Sequence, residues 1–80
     1  QNSPNPFSSA TRISYSLPVG SHTTLMIFDV LGNKIATLVD EVKTAGKHET
    51  YLESKDLQSG IYFYRLQSGQ FSQTKKLSVY

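Results

Sequence analysis

The chain contains no cysteine in its 80 residues, so no disulfide can staple it and no thiolate-type zinc site can form. A secreted mini-protein often carries disulfides but need not, so the redox compartment stays open. No apolar run approaches the length of a membrane span, which argues against membrane insertion. No charged segment followed by an apolar stretch opens the chain, so it does not begin with a signal peptide. Gln1 is an unusual natural start and points to a piece of something longer. Charge of either sign is scarce: eight basic and six acidic residues leave a net +2, too weak and too scattered for a nucleic-acid surface. Eighty residues make one domain, and so short a chain buries only about 60% of its unfolded surface.

Catalytic signatures are equally sparse. His22 and His48 each follow a glycine-containing turn and read as residues at strand starts. A zinc site would need three or four convergent ligands. Glu49 and Glu53 share a strand face but sit well apart, without a cleft to hold them as an acid–base pair. Asp40 and Glu41 form a surface pair, yet the calcium-loop pattern is missing. No serine sits in a Gly-x-Ser-x-Gly elbow, and the glycines are isolated turn residues that cannot cradle a phosphate. The expectation is a protein with no catalytic residues, no metal and no cofactor.

Alternation is what the sequence has in quantity. Ile13, Tyr15 and Leu17 alternate with Arg12, Ser14 and Ser16, the pattern of a half-buried strand. In HTTLMIFDV, Leu25 and Ile27 point one way while Met26, Phe28 and Val30 point the other; two apolar faces predict a central strand. Asp29 ends it, and Leu31-Gly32-Asn33 turns the chain, with Asp29 and Asp56 expected to bond nearby backbone amides. Lys34 to Val39 reads as a third strand, and Asp40 to Thr44 as a single loose helical turn. HETYLES alternates again, with His48, Thr50 and Leu52 on one face. A loop anchored by Leu57 leads to IYFYRLQ, and Ser68-Gly69-Gln70 reads as a tight hairpin into FSQTKKLSVY, whose polar middle predicts a sheet edge. These elements predict an all-β domain, a small antiparallel β-sandwich of six or seven strands, the seventh depending on whether the opening segment pairs. Spacing alone does not separate a sandwich from a partly open barrel.

Two groups invite a functional reading. Tyr62, Phe63 and Tyr64 form an aromatic run; its tyrosines serve the core if they face inward, or offer a platform for a sugar or a partner chain if they face water. Lys75 and Lys76 form a basic doublet on the last strand, where lysines guard against edge-to-edge association and can steer an acidic partner. Pro4 and Pro6 bracket Asn5 and stiffen the start, with Phe7 placed to pin it to the core. Residues 1–10 are therefore expected to form a clip at the boundary of a single domain spanning 1–80.

An ordered set of motifs carries a family resemblance: Pro4-Asn5-Pro6-Phe7, then Thr11 to Pro18, Phe28-Asp29-Val30-Leu31-Gly32, Lys34 to Leu38, Ala45 to His48, Leu57 to Leu66, and Lys75-Lys76-Leu77. The set resembles the type A C-terminal sorting domain of the type IX secretion system, similar in turn to the immunoglobulin-like domain of the flagellar hook-capping protein. The resemblance implies an Ig-like sandwich that is not an enzyme and that follows a cargo such as a protease, glycosidase or adhesin in Bacteroidetes and related bacteria. The cargo would enter the periplasm by its own N-terminal signal and reach the cell surface or medium. The implied partners are the outer-membrane translocon and a sortase-like cysteine peptidase, which cleaves in a linker upstream. Pro4, Asn5, Pro6, Phe7, Asp29, Gly32, Gly60 and Tyr62 match the family's structural motifs, and Lys75, Lys76, Ser78 and Tyr80 are the recognition candidates. The chain ends Leu77-Ser78-Val79-Tyr80, where members often end in a basic tail. Two other readings remain: a carbohydrate-binding accessory module, requiring Tyr62 and Tyr64 to face water, and a structural Ig-like module that assembles with copies of itself.

Overall fold

The structure, a computed structural model, describes residues 10–53 and 57–79. Six strands occupy them: β1 (Ala10–Leu17), β2 (Ser21–Phe28), β3 (Lys34–Lys43), β4 (Gly46–Glu53), β5 (Gly60–Ser68) and β6 (Phe71–Val79). All pairings are antiparallel. β1 and β4 form a two-stranded sheet, and the other four form a sheet in the order β3-β2-β5-β6. The two sheets close on one core, which makes the protein a small Ig-like β-sandwich. The Pro4–Phe7 clip, a seventh strand and the Asp56 turn lie outside the described residues.

The period-two pattern explains the packing. Residues two apart share a face, so Ile13, Tyr15 and Leu17 from β1 meet Leu25 and Ile27 from β2, Leu66 from β5 and Leu77 and Val79 from β6. Val39 and Leu52 complete the cluster, and Leu57 packs against it as the sequence predicts. Leu25 and Ile27 are fully buried. Each such side chain contributes about 1.5–3 kcal/mol relative to an exposed one. Thr23 and Ser68, cross-strand partners, are the buried polar pair; the Thr23 hydroxyl donates to Ser68 Oγ at 2.9 Å, so neither is stranded in the core.

One segment differs from expectation. Asp40 to Lys43 forms no helical turn; β3 runs on through it to Lys43. These residues pair with Thr24 to Ser21, and the long partner strand overrides a weak local preference. Their charges are met on the spot: Asp40 Oδ1 accepts from His22 Nε2 at 2.6 Å, and Lys43 Nζ lies 2.9 Å from Glu41. Asp40 and Glu41 project to opposite faces, so they form no joint cation site. β3 also carries two register shifts, at Leu25/Met26 and Ile27/Phe28, while β6 pairs with β5 without interruption from Phe71 to Val79.

Candidate recognition surface

The recognition candidates sit on β6, an outer strand of the four-stranded sheet. Alternation separates its two lysines. Lys75 pairs with Tyr64 and faces the side covered by β1 and β4; Lys76 pairs with Phe63 and faces away. Ser78 pairs with Ile61, shares the face of Lys76 and is half-buried. Tyr80 lies outside the described residues. Both lysines are exposed, and neither makes an ion pair among the described residues.

Lys75 borders a groove of about 490 Å³ between β6 and the two-stranded sheet. Its lining is polar: Ser14, Ser16, Lys47, Glu49 and Gln73 surround the stacked pair of Tyr15 and His48, whose ring centres lie 5.5 Å apart. The Tyr15 hydroxyl is buried without a hydrogen-bond partner, and burial raises its pKa above 10.0. His48 Nε2 donates to the Thr44 carbonyl at 2.7 Å, so this ring holds the β3–β4 connection, as a strand-start residue would.

The motif residues that the structure describes, Asp29, Gly32, Gly60 and Tyr62, shape turns and strand ends. Asp29 organises the β2–β3 turn: its Oδ1 accepts from the Leu31 and Asn33 amides, each at 2.9 Å, and Oδ2 accepts from Asn33 Nδ2 at 3.1 Å. The bonds to the Asn33 amide and side chain, above all, hold its carboxyl below the ordinary 3.8. Gly32 has φ +90°, which this turn requires and other L-residues rarely adopt. The turn holds out Val30 and Leu31, the latter 84% exposed. Gly60 opens β5, and the Tyr62 hydroxyl donates to the Gln58 carbonyl at 2.8 Å, fastening the preceding loop. Tyr62 and Tyr64 pack against the core. This removes the water-facing tyrosine platform that a carbohydrate-binding module would need.

The opposite face of the four-stranded sheet holds residues that sequence reasoning did not group. Cross-strand register sets Lys34, Phe28, Phe63 and Lys76 in one row over β3, β2, β5 and β6. Arg65 lies over the Phe28 ring, 4.9 Å from its centre. Met26, beside Arg65, continues the apolar strip. The signal was present in the apolar outer positions of β2 and β5, but only the register aligns them with the two lysines.

An antiparallel Ig-like sandwich whose exposed groups suit contact better than bond breaking defines a recognition module. The chain matches the family described as the secretion system C-terminal sorting domain over residues 3–80, and it belongs to that family. It is a non-catalytic C-terminal secretion signal of the type IX system, serving export across the outer membrane to the cell surface or beyond. Searches of curated proteins and of solved structures return no match.

Proposed function

We propose that the folded domain is read in the periplasm by the outer-membrane translocon through the β5–β6 hairpin, with Lys75, Lys76 and Ser78 among the contacts and Tyr80 a further recognition candidate. A sortase-like cysteine peptidase then acts upstream of the domain, freeing an N-terminally fused cargo. The observation that carries this reading is the exposure, on opposite faces of one regular outer strand, of two lysines that make no ion pair among the described residues. A hairpin of this kind offers charge to an acidic partner on both sides while its backbone stays fixed by β5.

The test fuses the chain, behind a flexible linker, to a periplasmic reporter in a host with the type IX system. The wild-type fusion is expected at the cell surface. The double reversal Lys75→Glu/Lys76→Glu is expected to hold the reporter in the periplasm, with folding unchanged by circular dichroism. Surface delivery of the folded double variant at the wild-type level would remove the lysines from recognition.

A further inference from the structure

We infer that the outer face of the four-stranded sheet is a second docking surface, and that its occupant is an extended, acidic protein segment with apolar side chains. The inference rests on the reading of the chain as a recognised label, but it concerns a different face from the Lys75 groove.

The face combines three features. Phe28 and Phe63 are directly opposed on the two central strands, half-buried, and outside the core cluster. Lys34 and Lys76 flank them on the outer strands, and Arg65 caps Phe28. Three cations thus surround one aromatic pair, while no carboxylate among the described residues forms an ion pair with Lys34, Arg65 or Lys76. Asp40 lies toward the far end of the same face and is taken by His22. A chain with a net charge of only +2 has therefore placed three cations, without an ion pair among the described residues, around a half-buried aromatic pair.

Geometry narrows the occupant. Neighbouring strands lie about 4.8 Å apart, so the row from Lys34 to Lys76 spans about 14 Å, with two aromatic rings between the charges. Nucleic acid would want a continuous basic track along a backbone, which this row does not provide. A peptide with alternating acidic and apolar side chains can lay its apolar groups on Phe28 and Phe63 and its carboxylates against the lysines and Arg65. An anionic membrane is the competing occupant, and the test distinguishes it.

The experiment titrates the isotopically labelled chain, followed by its backbone amide resonances, with four probes: a ten-residue alternating Leu/Glu peptide, its Leu/Gln and Leu/Lys counterparts, and phosphatidylglycerol–phosphatidylcholine vesicles. The Leu/Glu peptide is expected to give saturable shifts at Phe28, Phe63, Arg65 and Lys76, weakening as salt rises. Lys34→Glu/Lys76→Glu, altering only exposed side chains, is expected to weaken binding roughly tenfold, equivalent to about 1.4 kcal/mol in total for the two exposed charges. A Phe63→Ser variant that retains its amide dispersion is expected to weaken it as well. Equal binding of the Leu/Gln peptide, shifts confined to the Lys75 groove, no shifts at all, or binding to vesicles alone would each overturn the proposal. These outcomes leave the export reading standing; that reading is tested separately, by delivery of the wild-type fusion and retention of the lysine double variant.

Discussion

The two outer strands of the four-stranded sheet solve the same problem differently. An outer strand presents unpaired backbone groups to any passing chain. β3 is irregular, with two register shifts, and its far end is occupied by the His22–Asp40 and Glu41–Lys43 pairs. β6 is regular along its whole length and relies on side chains, with Lys75 and Lys76 at its centre. The difference separates a strand closed by its backbone from one guarded only by charge. Charge can be matched by a specific partner, whereas a bulge cannot be undone by one, and this contrast supports the proposal that β6 carries the recognition contacts.

The strongest way to break the comparison is to strike what the two edges share. Leu25 pairs with Val39 on one side and Leu66 on the other. Leu25→Ala is expected to cost about 2–5 kcal/mol in denaturant unfolding, and to raise amide exchange in β3 and β6 together. Loss of protection on one side alone would mean that the edges are not joined through this row.

Gly69→Ala sharpens the contrast from the β6 side. Gly69 has φ +59°, and an added Cβ would come within 3.3 Å of Ser21 Oγ. The expected cost is about 1 kcal/mol, with faster exchange concentrated in β6. An equal response in β3 would mean that this turn does not act on β6 in particular.

The smallest effect is sought from the β3 side by acid. The folded pKa of Asp29 lies below its ordinary 3.8, so its contribution to the turn is complete above that value and is lost as pH falls through the lower folded value. The Leu31 and Asn33 amides are expected to lose exchange protection, corrected for intrinsic rates, over that window, while the β6 amides do not follow. Asp29→Asn keeps an acceptor without the titration and is expected to abolish the dependence. A variant that retains it would assign the acid response to another carboxyl.

Alternation made most of the fold legible. The inward set of Ile13, Tyr15, Leu17, Leu25 and Ile27 could be read directly, as could the tight turn at Gly69 and the amide-binding role of Asp29. Asp40 to Lys43 misled because its composition is polar and its strand character comes from pairing with β2. The sequence offered Lys75 and Lys76 only as a doublet on the last strand; their separation onto two faces and the alignment of Lys76 with Phe63, Phe28 and Lys34 depend on register. Register is a relation between distant segments, and a linear pattern carries it only weakly.

The unequal sheets have a consequence for variation. Two strands lie over four, so β6 carries Gln73 and Lys75 past the tightly packed centre, where they line an open groove rather than the core. Substitution at Lys75 alters this exposed groove without removing a side chain of the core cluster. Under the proposed reading, selection can retune the address on the label while the fold that carries it stays the same.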